Sequence, residues 1–160
     1  MMAEQRVTAL SAEEIADIEH ELKNYERKSA VAIEALKIVQ KYRGWVSDQS
    51  LRELALYLDI SVDELDSVAT FYNLIYRKPV GKQVIKLCNS VSCWLMGCEN
   101  VEQDIKNKLN IKAGETTPDG DYTLIPIVCL GACDRAPVMM INDELHTHLS
   151  KDKLDKILTR

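Results

Sequence analysis

The chain has 160 residues, 46% apolar and 28% charged, and 20 basic against 25 acidic side chains leave a net charge of −5. That is enough for one globular domain or two very small ones, and the composition excludes a disordered or fibrous chain. The acidic balance has no Lys/Arg-rich run and excludes the usual footprint of a nucleic-acid binder, while the lack of a long uncharged apolar stretch or apolar leader predicts a cytoplasmic chain with no direct membrane insertion.

Residues 11 to 76 read as four short helices. Ser11 and Glu14 form an S-x-x-E capping box, followed by Ile15, Ile18 and Leu22 at helical spacing. Ser29 is expected to cap a second helix carrying Ile33, Leu36, Val39 or Gln40, and Arg43, which Gly44 stops. Trp45 and Val46 should pack back on the helices. A third helix opens at Asp48 with Leu51, Leu54, Ala55 and Leu58 on one stripe. Ser61 and Glu64 then suggest a second capping box before Leu65, Val68, Ala69 and Tyr72. The last two helices resemble a helix-turn-helix in layout, but Asp63, Glu64 and Asp66 stand where a recognition helix would face phosphates. DNA binding is excluded on that ground, and Leu51, Leu54, Leu65 and Val68 become the expected docking face for a protein partner.

Pro79 and Gly81 mark a change of pattern. A strand at Val84 to Leu87 leads into a cysteine loop at 88 to 98, a helix from about Val101 to Leu109 and a turn-rich segment at 114 to 121. Strands at Tyr122 to Val128 and Val138 to Ile141 follow, the latter turning at Asn142-Asp143 into Glu144 to His148, and Ser150 caps a last helix. Strand, helix, strands and helix over about 80 residues describe a small thioredoxin-like domain. The expected division is 1–78, helical and partner-docking, and 79–160, thioredoxin-like.

The first 87 residues hold no cysteine, whereas five fall between Cys88 and Cys133. A reducing compartment disfavours disulfides, so metal ligation is the leading reading. Cys88 and Cys93 form a C-x4-C loop after one strand, Cys129 and Cys133 a C-x3-C loop after another, with 35 residues between the loops. Neighbouring strands would bring four thiolates to one sheet edge. A [2Fe-2S] cluster needs two thiolates on each iron, and two separate two-cysteine loops meet that need. Four thiolates also suit structural zinc, although zinc ribbons favour tighter C-x2-C knuckles. Cys98 is left over and reads as a buried non-ligand. His146 and His148 alternate along an expected strand, but with four cysteines available no histidine ligand is needed. Backbone amides from Asn89 to Ser92 and Leu130 to Ala132, with Lys86 and Arg135, are the expected donors and charges around the sulfurs.

The segments CNSVSCWLMG and CLGACDRAPVMMIND, preceded by EALKIVQKYRGWV and VATFYN, resemble the thioredoxin-like [2Fe-2S] E-subunit family of bacterial respiratory NADH:quinone oxidoreductase, complex I. This family is the counterpart of mitochondrial NADH dehydrogenase flavoprotein 2. The resemblance spans about Glu13 to Leu158 and implies an α+β chain, an N-terminal four-helix bundle followed by a thioredoxin-like [2Fe-2S] ferredoxin domain. It implies Cys88, Cys93, Cys129 and Cys133 as ligands of one [2Fe-2S] cluster, and gives Cys98 no role. It further implies an electron-transfer subunit, not catalytic alone, paired with a flavoprotein subunit that holds FMN and the NADH site. That pair belongs to the peripheral arm of complex I on the cytoplasmic face of the inner membrane. NAD-linked hydrogenases and formate dehydrogenases carry nearly the same cysteine pattern, so their equivalent subunit, or a free-standing ferredoxin-like carrier, stays open. The chain has neither G-x-G-x-x-G nor a P-loop, so nucleotide chemistry is expected from the partner.

Overall fold

Capping and apolar spacing agree along the first half of the chain, and helices form where they do. The computed structural model describes residues 10–158, which fall into two units divided between Pro79 and Val80. The first holds α1 (Ala12–Leu22), α2 (Ala32–Arg43), α3 (Asp48–Leu58) and α4 (Val62–Phe71), with a 3-10 turn at Lys28–Val31 before α2. At α1 the capping box is complete: the Glu14 amide donates to Ser11 Oγ at 3.1 Å and the Ser11 amide to Glu14 Oε2 at 2.7 Å. Ser61 accepts from the Glu64 amide at 3.1 Å and so caps α4.

One expected cap moves. Ser29 lies inside the 3-10 turn, and α2 starts after Val31 with no side-chain cap. A turn running straight into a helix has no extended residue from which a hydroxyl could reach the first free amides. At α3 the cap is Ser47, with Asp48 one position inside, where its charge faces the positive end of the helix. Gly44 ends α2 with φ 80° as expected.

The core of this unit is aliphatic, with Ile18, Leu36, Val39, Leu54, Leu58 and Leu65 all but inaccessible. Each such side chain contributes about 1.5–3 kcal/mol of burial, whereas an exposed pair such as Lys37 and Glu34 contributes at most about 1 kcal/mol. Burial therefore decides how the helices pack. It also corrects the expected docking face: Leu51, Leu54 and Leu65 are buried in this core and Val68 packs against it. The most exposed large apolar side chains of this unit are Leu56, 85% exposed, and Phe71, 80% exposed.

Arg43 occupies the last turn of α2, and its guanidinium links three helices. Nε and Nη2 donate to the two carboxylate oxygens of Glu14 at 2.6 and 2.7 Å, and Nη1 reaches Ser50 Oγ at 3.0 Å and Glu53 Oε2 at 3.1 Å. Arg77, beyond α4, similarly binds Asp66 at 2.9 Å, Asp48 at 2.7 Å and the Val46 carbonyl.

In the second unit the order is β1 (Gln83–Cys88), α5 (Val91–Leu95), α6 (Cys98–Leu109), β2 (Tyr122–Ile127), a 3-10 turn at Cys133–Arg135, β3 (Met139–Ile141), β4 (Glu144–His146) and α7 (Lys151–Ile157). The sheet runs β2-β1-β3-β4. β1 and β2 are parallel with Cys88 opposite Ile127, and β3 is antiparallel to both β1 and β4. Ile85, Leu87 and Leu124 from the strands are buried with Ile105 and Leu109 of α6 and Leu154 of α7. β4 stops at His146, because His148 takes φ 48° and leaves the strand. The two histidines therefore do not share one strand face.

Candidate metal centre

Parallel pairing of β1 and β2 is what assembles the cysteines. Cys88 is the last residue of β1, and Cys129 follows two residues after the end of β2. The Asn89 amide donates to the Ile127 carbonyl at 3.0 Å, and the Cys88 amide to the Val138 carbonyl at 3.2 Å, so the first loop is tied to both neighbouring segments. Both cysteine loops leave the sheet at the carboxyl ends of adjacent parallel strands, the usual place for a ligand site in such sheets.

All four expected thiols meet there, in two pairs. Cys129 and Cys133 stand with their sulfurs 3.4 Å apart. Cys88 and Cys93 lie together in one buried apolar cluster, and Cys88 interacts electrostatically with Cys93 and Cys133. Among the described residues no group of three or more His, Cys, Asp or Glu is arranged to hold a single metal ion. Two pairs of thiols, one pair from each loop, match the two-per-iron demand of a binuclear cluster. The donor set therefore fits a [2Fe-2S] group.

The two loops differ in burial. Cys88 and Cys93 are each 1% exposed, packed with Ala132, Ala136 and Val138, whereas Cys129 and Cys133 are open to solvent. Burial pushes the Cys93 thiol up to about 11, although the Val138 amide donates to its sulfur and opposes the rise. Cys129 moves the other way, chiefly because the Gly131 amide donates to its sulfur at 3.3 Å. Gly131 makes this contact with φ 77°, a conformation that costs other residues about 1–2 kcal/mol. The hydrogen bond to Cys129 raises Cys133, and the Ser92 side chain, also bonded to that sulfur, acts against it. Ligands bind as thiolates, so Cys93 would release its proton on loading.

Of the expected surroundings, Gly131 fulfils its role. Lys86 does not: its ammonium donates to the Asn142 carbonyl at 2.8 Å, towards the β3–β4 turn and the other end of β1 from Cys88. Arg135 is half-exposed beside Asp134 at 3.7 Å. Cys98 is the first residue of α6, 3% exposed, and packs in the same apolar cluster as Cys88 and Cys93. The influence of the Val138 amide on Cys93 was not legible in the sequence, because the two residues lie 45 positions apart.

A sheet with paired thiol loops at its carboxyl edge is the architecture of a thioredoxin-like iron-sulfur protein, and the chain belongs to the thioredoxin-like [2Fe-2S] ferredoxin family, whose profile matches residues 18–160. It is similar to the E subunit of the NADH-quinone oxidoreductase of Escherichia coli K12, 48% identical over 151 residues covering 94% of this chain and 91% of that one. The corresponding E subunit of Pseudomonas aeruginosa is 46% identical, covering 93% and 90%. Among solved structures, an NAD+-reducing [NiFe]-hydrogenase in its air-oxidized state superposes with a TM-score of 0.67 at 22% identity, covering 80% of this chain and 22% of that one. That last likeness is one of fold.

Proposed function

We propose that the chain is the electron-transfer E subunit of an NADH:quinone oxidoreductase, holding one [2Fe-2S] cluster through Cys88, Cys93, Cys129 and Cys133. The observation that carries this reading is the similarity of nearly the whole chain, 48% identical over 94% of its length, to a protein of that name. Such a cluster, when bound, exchanges single electrons. The chain's own residues surround it: Ala132, Ala136 and Val138 keep water from the inner thiols, while the outer pair faces outward. A hydrogenase-type subunit is the lesser reading, because that likeness is limited to fold.

The partner in this reading is a flavoprotein subunit that holds FMN and the NADH site, within the peripheral arm of the complex on the cytoplasmic side of the membrane. Among the described residues no helix is long and apolar enough to cross a membrane. Residues 1–78, whose described part carries the four helices, serve docking, and 79–160 serve the cluster. Leu56 and Phe71 are the exposed apolar side chains through which the helices would pack on the flavoprotein. Leu56→Glu together with Phe71→Glu is expected to cut co-purification with that flavoprotein several-fold and leave iron content intact, as read by affinity pull-down and iron analysis; unchanged recovery would remove these residues from the interface.

Hydride transfer moves two electrons together and needs a cofactor that accepts a pair and releases them singly. The isolated chain should therefore take up one electron from dithionite, giving a paramagnetic signal, and show no change with NADH alone. Bleaching by NADH in flavin-free, partner-free protein would overturn the division of labour. Zinc at one per chain, without visible absorption, would overturn the cluster itself.

A further inference from the structure

We infer that Gln40 shapes the segment after α4 for docking: its side-chain amide clamps the backbone at Leu74 and Tyr76 and holds out Phe71, Tyr72 and Leu74 as a rigid ridge for an apolar, base-rimmed pocket of the flavoprotein subunit. The inference rests on the docking reading above and adds to it the residue that fixes the docking surface. Gln40 lies on α2, half-buried, 34 residues before Leu74. Its Nε2 donates to the Leu74 carbonyl at 2.9 Å, and its Oε1 accepts from the Tyr76 amide at 2.6 Å. One side chain thereby satisfies two backbone groups that a loop would otherwise leave to water. Between them Ile75 is buried in the helical core, and the Val46 amide donates to the Tyr76 carbonyl at 2.8 Å. The segment is held by backbone, side chain and core together.

Phe71, Tyr72 and Leu74 are all exposed, and the Phe71 and Tyr72 rings meet edge to face with centroids 5.1 Å apart. An apolar ridge already ordered in the free chain loses less entropy on binding, so more of its burial appears as affinity. The charges beside it define the rim of the pocket that receives it. Glu64 and Ser67 share the Phe71 face of α4 by helical spacing, and both are exposed. Across residues 62–77 the acidic side chains are Asp63, Glu64 and Asp66, and the one cation of that stretch, Arg77, is bound to Asp66 and Asp48. Complementarity therefore calls for Lys or Arg side chains around an apolar pocket.

The test measures binding of the full chain to the flavoprotein subunit, together with amide hydrogen exchange, for the wild type, Gln40→Leu and the longer Gln40→Met, each also on a background carrying Phe71→Ala and Leu74→Ala. Removing the clamp should speed exchange of the Tyr76 amide, leave iron content and protection within α2 unchanged, and weaken binding about tenfold, as expected for losing the hydrogen bonds that order a segment. On the truncated background, which itself binds less tightly, the same change should add little, because Gln40 acts through the ridge. Association should slow as salt rises. The inference is overturned if both Gln40 variants bind as the wild type does, if Tyr76 exchange does not change, or if the loss is as large on the truncated background, which would mean a general weakening of the helical unit. Salt-independent association would overturn the basic rim. If the wild type does not bind the flavoprotein, or the truncated chain binds as tightly as the wild type, the docking reading falls and this inference with it; a weakened truncated chain with unaffected Gln40 variants overturns the inference alone.

Discussion

Serine in place of Cys88, Cys93, Cys129 or Cys133 is expected to remove most of the iron and sulfide from the purified chain, from about two of each to well under one. Each thiolate closes one iron's tetrahedron, and a serine hydroxyl gives up its proton far less readily than a thiol. The burial difference predicts a further split. Cys88 and Cys93 are each 1% exposed in an apolar cluster, so no water can replace a lost sulfur there, and their variants should be the emptier ones. At the exposed Cys129 and Cys133, solvent can fill a vacated position, and a residual, spectrally altered cluster is expected. Cys98→Ser should keep full iron, because the pairs are complete without it. Iron and sulfide analysis with a visible spectrum on the five variants decides the matter. Loss of iron in Cys98→Ser with retention in Cys93→Ser would reverse the assignment.

Arg43→Met should destabilise the helical unit by about 3 kcal/mol at pH 7, since removing one partner of a buried ion pair leaves the other charge uncompensated. Glu14 is 1% exposed and Glu53 is 9% exposed, and both carboxylates lean on this one guanidinium. For a unit of this size that corresponds to a fall of about 15 °C in melting temperature. Acid should narrow the gap. The hydrogen bonds from Arg43 hold the Glu14 carboxyl below its ordinary range. The native chain therefore binds fewer protons at this site than the unfolded one, and the stabilisation is complete above the ordinary glutamate value of about 4.3. It drains away as the pH falls through the lower native value. Without Arg43 that contribution is gone, so the wild type loses more than the variant on acidification. Thermal unfolding followed by far-UV ellipticity at pH 7 and pH 3 checks both parts; equal melting at pH 7, or a gap that widens in acid, would refute the account.

Short-range signals carried far along this chain. The Ser11–Glu14 box, the stop at Gly44, the stripe Leu51, Leu54 and Leu58, and the strand that ends in Cys88 all depend on residues within a few positions of one another, so they can be read from the sequence. The same holds for the thiols. C-x4-C after one strand and C-x3-C after the next already assign Cys88 and Cys93 to one loop and Cys129 and Cys133 to the other, and the residues around those loops carry the family resemblance. Ser29 failed as a cap because the backbone before α2 is a 3-10 turn, a choice that spacing does not record.

What tertiary structure decided is everything that depends on partners distant in sequence. Which face of α3 and α4 is buried follows from how the helices pack, so Leu54 and Leu65 moved into the core while Leu56 and Phe71 remained outside. Lys86 is 56 residues from Asn142, and only the β1–β3 register shows that its charge goes to that carbonyl instead of to the sulfurs. The pairing of β1 with β2 likewise brings the two cysteine loops to one edge, the first buried and the second exposed. A residue's own spacing cannot encode such contacts, because their existence and strength depend on which segments the fold sets side by side.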